Sequence, residues 1–193
     1  MRHLMLDLET LGTTPGCVVL SIGAVEFDLN GIKGEFHAHI DIDSSTALGL
    51  QLDARTVMWW LDQSKEAQNA LLQADTFPIQ DVLDAFNDTF EWKDLKIWAN
   101  GASFDFPILE AAYKAASRTV PWKYYNQMDF RTMKNLLAKD SYELLRVRPG
   151  TAHDALDDAR SQALTLINII NWANGTHYEQ RIAAGALVRL GRG

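Results

Sequence analysis

Asp7 and Glu9 stand two residues apart in an otherwise apolar run, HLMLDLETLG at residues 3 to 12. In a strand, residues i and i+2 point to one face, so both carboxylates lean the same way near its carboxyl end. Like charges held together repel, and burial raises the cost unless a cation balances them. Such oxygens suit a hard divalent ion like Mg²⁺. The plainer alternative is two solvent-facing acids at a strand end. A further acid, Asp105, closes NGASFD (100–105), where a short strand stops at Asn100 and Gly101 permits a tight exit. Asp105 then falls near a helix start, where the helix dipole favours a carboxylate in any protein, so a capping role also accounts for it. The third group is HDALDDA (153–159). His153 and Asp158 would be about 140° apart on one continuous helix, so they converge only if His153 precedes it. Asp154 is a good N-cap, which puts Asp158 one turn in and lets His153 lean over the same site. Read alone, a surface or cap histidine accounts for His153. Asp154 and Asp157 have structural work as cap and first-turn acid.

The elements that must position these groups follow from pattern. Residues 2–9 read as a strand, 10–17 as a turn-rich loop and 18–28 as a second strand. Asn-Gly in 29–34 marks a hairpin, and 35–42 alternates back as a third strand, giving an antiparallel meander. Helical patterns occupy 54–64, 64–74 and 78–92; in the last, Ile79, Val82, Leu83, Phe86 and Phe90 share one face. Residues 95–101 form a short strand, 103–116 a helix after Pro107, 121–128 a further strand and 129–138 a helix. The longest helical pattern is 152–174, with a stripe at Leu156, Ala159, Ala163, Ile167 and Ile170. A meander followed by alternating helices and strands indicates a mixed sheet with flanking helices.

Together, DLE, NGASFD and HDALDDA, in that order, resemble the DnaQ-like exonuclease superfamily in its DEDDh branch. That family carries D-x-E in its first strand, N-x-x-x-F-D in the second motif and H-x-A-x-x-D-A in the third. Its Tyr-bearing branch would place Tyr four residues before the last Asp; Asp154 stands there, so the His branch is indicated. The resemblance spans roughly residues 4 to 170 and includes the meander after the first motif. DLETLG followed by VVLSIGAVEFD looks most like small stand-alone exonucleases of phages and bacteria, among them exonuclease VIII-like and mycobacterial exoribonuclease groups.

The resemblance implies an α/β, ribonuclease-H-like fold: a mixed five-stranded sheet with an antiparallel meander, flanked by helices, over 1–175. Residues 176–193 are expected to add a helical tail to the same domain. It further implies that Asp7, Glu9, Asp105 and Asp158 bind two Mg²⁺ or Mn²⁺ ions, with His153 as general base. The reaction would be 3′–5′ hydrolysis of terminal phosphodiesters of DNA or RNA to nucleoside 5′-monophosphates, favouring single strands or 3′ overhangs. Thr10 and Leu11 are expected at the terminal nucleotide, as backbone groups for the 3′ hydroxyl and an apolar wedge under the base. Two other classes fit the fold. A non-catalytic binder of nucleic-acid ends would lack one of the acids, and all five site positions are filled. A proofreading subunit would need a partner-binding extension, for which 176–193 leaves little room.

Composition agrees with a folded globular protein. The 193 residues are 47% hydrophobic with net charge −7, so general tract binding to nucleic acid is disfavoured, although a metal site reverses the local charge. One cysteine, Cys17, excludes an intramolecular disulfide and fits a reducing cytoplasm; no signal peptide or membrane span is expected, and a homodimer is allowed. Trp59 and Trp60 lie about 100° apart on a helix, so at most one faces the core squarely. The pair reads as core cover or as a stacking platform for bases. Phe104 reads as core. Arg131 reads as a phosphate contact or a salt-bridge partner of Asp129 or another acid. His3, His37, His39 and His177 lack a second ligand at metal spacing, and His37 and His39 share one face of the third strand.

Overall fold

The computed structural model describes residues 1–72, 75–148 and 150–175; the tail expected at 176–193, with His177, lies outside the described residues. The strands are β1 (His3–Thr10), β2 (Val19–Asp28), β3 (Gly31–Ile40), β4 (Thr76–Phe77), β5 (Lys96–Ala99) and β6 (Gln127–Asp129), in the sheet order β4-β3-β2-β1-β5-β6. β1, β2 and β3 form the expected antiparallel meander. Its tight turn uses the Asn-Gly step: Asn30 N–H donates to Asp28 Oδ1 at 2.8 Å, and Gly31 takes φ +138°, where a side chain would be strained. β5 joins β1 in parallel, and β6 joins β5 in parallel.

The helices are α1 (Ile42–Ala47), α2 (Ala54–Leu61), α3 (Lys65–Leu72), α4 (Ile79–Thr89), α5 (Ala102–Ala115), α6 (Phe130–Asn135), α7 (Lys139–Leu145) and α8 (Ala155–Ala173). Strand alternation sorts them into two layers. Leu4, Leu6 and Leu8 of β1 face a core shared with α4 and α5, in which Ile79, Val82, Leu83, Phe86 and Phe90 are all buried as their spacing expects. Met5 faces the opposite core, with Val25, Phe27, Trp98 and the buried stripe of α8 at Ala159, Ala163 and Ile167. Asp7 and Glu9 continue the Met5 face. Burying fifteen or so such side chains, at about 1.5–3 kcal/mol each, fixes which way the acids point.

The mixed sheet flanked by helices is as expected, with a sixth strand in place of five. β4 pairs only His39↔Thr76 and Ile40↔Phe77, and two residues carry no periodicity to read. Two short helices, α1 and α7, also lay outside the sequence reading; α1 is set by its cap, Asp41, which accepts from the amides of Asp43 and Ser44. The strand expected over 121–128 is a 3-10 turn at Tyr124–Asn126 followed by β6. Finally, α5 begins ahead of Pro107 rather than after it. Gly101 turns the chain at φ +111°, and Asp129 Oδ2 accepts the Ala102 N–H at 2.6 Å, so the helix starts early and Pro107 costs it one donor.

Candidate active site

β1 supplies the first two acids. Its pairing with β2 puts Asp7 opposite Gly23 and Glu9 opposite Ser21. Gly23 is where α8 lands: a Cβ there would sit 2.1 Å from the Ala155 carbonyl carbon and 2.4 Å from the Leu156 amide nitrogen. The absent side chain therefore lets the helix N-terminus rest on the sheet beside Asp7. From that start α8 runs toward the hairpin, where Asn171 Nδ2 donates to the Leu29 carbonyl at 3.1 Å. One turn further into α8 than Asp158, Gln162 Nε2 donates to Asp7 Oδ1 at 2.7 Å. Sequence reasoning missed both Gly23 and Gln162. A glycine inside a strand pattern signals close backbone approach, and Gln162 shares the helical face of Asp158 four residues earlier.

The turn before α8 is held by its acids. Asp154 caps the helix by accepting the Asp157 N–H at 3.0 Å, as its position predicts. Asp157 accepts from the Thr151 amide (2.9 Å) and from Arg160 Nη1 (3.0 Å), and its carboxylate fills the space beside Gly150. Arg160 also binds Glu35 of β3 at 2.6 Å. This scaffold holds His153 at φ +64°, a left-handed conformation that costs a non-glycine residue about 1–2 kcal/mol. His153 N–H donates to Asp158 Oδ2 at 3.0 Å, and the ring meets Trp59 edge-on at 5.1 Å and Trp60 at 6.2 Å between centroids. Glu9, His153 and Asp158 offer ligand atoms that all lie within 4.8 Å of one another.

Asp105 arrives from the first turn of α5, at the end of the parallel strand beside β1. Asp7, Glu9, Asp105, His153 and Asp158 thus line one open cleft of about 650 Å³, with Asn100, Arg131, Arg148 and Gln162 on its walls. Their protonation shows how crowded the charges are. The Asp7 carboxyl lies well above the usual carboxylate range, first through burial and then through Asp105, Glu9 and Asp158, with Gln162 opposing. Burial, then the charges of Asp158, Asp154 and Asp105, push Glu9 up to about 8. Burial pushes Asp105 up to about 7 against the pull of the Asp105 and Leu8 amides and of Arg131. Asp158 is raised by burial, with the His153 amide opposing.

A second cleft of about 570 Å³ shares Leu8, Glu9 and Phe104 with the first and is walled by Thr10, Thr13, Arg55, Trp59 and Trp60. The tryptophans divide as their spacing requires: Trp60 is buried and donates Nε1–H to the Thr10 carbonyl at 2.9 Å, whereas Trp59 is 44% exposed. Phe104, read as core, is only half-buried and lies between the two clefts; Phe106 takes the core position. Leu11 also departs from expectation. A register shift between Glu9 and Thr10 breaks the alternation, and Leu11 turns into the α4–α5 core at 7% exposure instead of toward the acid clefts. Arg131 makes no ion pair with Asp129 among the described residues; its Nη2 donates to the Asn100 carbonyl at 2.8 Å. His3 is a core histidine whose Nδ1 accepts from Trp98 Nε1 at 3.0 Å.

Among the described residues, no helix is long and apolar enough to cross a membrane. The sequence model for the 3′-5′ exoribonuclease Rv2179c-like domain matches residues 2–170. The chain is 27% identical over 215 aligned positions to an exodeoxyribonuclease of enterobacteria phage T4, covering 91% of this chain and 92% of the phage protein. Its fold resembles that of exonuclease X in complex with 5′ overhanging duplex DNA (TM-score 0.58, 20% identity, 89% of this chain and 93% of that one). It also resembles the nuclease domain of 3′hExo, a DEDDh family member, bound to rAMP (TM-score 0.54, 16% identity, 90% and 92%). The chain spans 64% of the length of cell-death related nuclease 4 (TM-score 0.60, 20% identity, 89% of this chain).

Proposed function

The chain belongs to the family of 3′-5′ exoribonuclease Rv2179c-like domains and is a 3′-5′ exonuclease, and we propose that it removes nucleoside 5′-monophosphates from single-stranded 3′ ends and 3′ overhangs with two Mg²⁺ or Mn²⁺ ions. One observation carries this reading: four carboxylates from β1, α5 and α8 converge in one cleft with their protons held abnormally tightly. Such a set of mutually repelling oxygens is completed by hard divalent cations, so Asp7, Glu9, Asp105 and Asp158 are the residues that would hold them. When bound, the ions supply Lewis-acid stabilisation of the phosphodiester and make water a better nucleophile.

The remaining work falls to the chain. His153 accepts the proton of the attacking water; the edges of Trp59 and Trp60 hold its ring, and its amide is tied to Asp158. Gln162 orients Asp7. The terminal nucleoside enters the second cleft, where exposed Trp59 offers a stacking face and the Thr10 carbonyl, already accepting from Trp60, keeps a second lone pair for the 3′ hydroxyl.

The test is a panel of end-labelled single-stranded DNA, duplex DNA and RNA with Mg²⁺, Mn²⁺ or EDTA. Both sugars belong in it, since the family description names RNA and the phage relative DNA. Metal-dependent shortening from the 3′ end to mononucleotides is expected. Turnover in excess EDTA, initial release from the 5′ end, or cutting of a circular single strand would overturn the reading.

A further inference from the structure

In a chain of net charge −7, four cations gather beside the acids: Arg131 and Lys134 of α6, and Arg146 and Arg148 in the segment between α7 and α8. Arg131 and Arg148 stand on the wall of the acid cleft, which opens into a small recess of about 80 Å³ lined by Lys134, Tyr142, Arg146 and Arg148. The recess is far smaller than the cleft of about 570 Å³ beside Trp59. The acid cleft and the recess share Asn100, Arg148, Asp158, Ser161 and Gln162.

Charge balance within the protein leaves one member of this cluster, Lys134, without an ion pair among the described residues. Arg131 offsets Asp105 and Arg148 offsets Asp158. Lys134 instead has its proton loosened, first by burial and then by Arg131, Arg146 and Arg148, with Asp129 opposing. Its Nζ also lies over the Phe130 ring, 5.9 Å from the centroid. Arg146 has one acid, Glu143, at 3.2 Å on a half-exposed side chain. Arg131 is also fixed in place: a Cβ on Gly101 would lie 2.9 Å from its Nη2, so the guanidinium packs over that glycine. Cations that repel one another beside an opening await an anion from outside.

We propose that Arg131, Lys134, Arg146 and Arg148 form a phosphate track for the strand 5′ to the scissile bond. The proposal rests on the placement of the terminal nucleoside in the cleft of Trp59. Three spaces then lie in a row, nucleoside cleft, acid cleft and basic recess, joined by the residues they share. A strand whose 3′ end fills the first space and whose last phosphodiester lies over the acids must leave across the third. The track gives the strand its direction, and makes longer strands better ligands than dinucleotides.

The experiment compares the wild type with a Lys134→Gln/Arg146→Gln double variant, both checked for fold by thermal melting. Fluorescent octanucleotides are titrated in Ca²⁺ at several salt concentrations, and mononucleotide release is followed in Mn²⁺. The double variant is expected to bind the octamer about tenfold more weakly, and its log Kd to depend on log salt less steeply by about 1.4, two contacts at about 0.7 each. An octamer with uncharged methylphosphonates at the two linkages 5′ of the scissile bond should show the same loss with the wild type and little further loss with the variant. Unchanged affinity and salt slope in a folded double variant would overturn the track, as would full additivity of variant and methylphosphonate. Failure of the wild type to release mononucleotides from the 3′ end would overturn the functional reading instead, since the affinity arms do not depend on turnover.

Discussion

Each raised carboxyl in the cleft stores a measurable linkage between protons and folding. Glu9 rises from 4.5 to about 8 and Asp105 from 3.8 to about 7. An acid whose folded pKa lies above its unfolded value binds its proton more tightly when folded. The stability it contributes is full below the unfolded pKa and is lost as pH rises through the folded one. The melting temperature of EDTA-treated protein should therefore fall between about pH 4 and pH 8, and scanning calorimetry across that range checks it. Asp7→Asn removes one of the mutually repelling charges, so it should raise the metal-free melting temperature at pH 8 while abolishing turnover. A lower melting temperature than wild type would contradict the repulsion. His153→Ala addresses the base. Single-turnover cleavage should slow by about 10²–10⁴-fold, with strand affinity in Ca²⁺ and metal-induced stabilisation retained. A metal ligand at that position would instead lose the stabilisation. These five side chains were legible in the sequence because three short motifs fix them. Leu11 was misread because a β-bulge changes which face a residue meets, and nothing in the residue types announces it.

At the scale of elements, the site depends on how α8 meets the sheet. Gly23→Ala would press a methyl group into the Ala155–Leu156 backbone, and overpacking of this kind costs about 1–3 kcal/mol. Because α8 carries Asp158 and is preceded by His153, the variant should lose activity beyond what its melting temperature explains. Normal turnover per folded molecule would show that the docking tolerates displacement. The α2 tryptophans separate in the same way. Trp60→Ala removes a buried ring and should cost about 3–5 kcal/mol of stability. Trp59→Ala should leave stability nearly unchanged and weaken strand binding by about 1–3 kcal/mol, read by denaturant melts beside titrations. The long patterns, β1 to β3, α4 and α8, were legible because a buried face imposes a period over many residues. α1 and β4 were not, since one is fixed by its cap and the other by two pairings to a distant strand; α7 has seven residues and no side-chain cap, too little to carry a period.

Over the whole molecule, whose net charge is −7, four carboxylates share the cleft where a divalent cation would sit. Any ligand that binds only the folded state stabilises it by RT ln(1 + [L]/Kd), about 2.7 kcal/mol at a hundredfold excess over Kd. Mn²⁺ or Mg²⁺ should therefore raise the melting temperature, and by more at pH 8 than at pH 5, where protons compete for Glu9 and Asp105. Equal shifts at both pH values would argue against these carboxylates as the binding set. The overall architecture was legible through the resemblance of the motifs. The pairing of β1 with β5, and the row of clefts that pairing creates, belongs to tertiary structure alone. The same arrangement bears on how the protein is made. Asp7 and Glu9 leave the ribosome well before His153 and Asp158, which follow only after all six strands and α7. A partly synthesised chain thus carries only part of the cleft's set of acids. The cutting edge closes only when α8 emerges and settles on Gly23, so synthesis itself acts as the sheath.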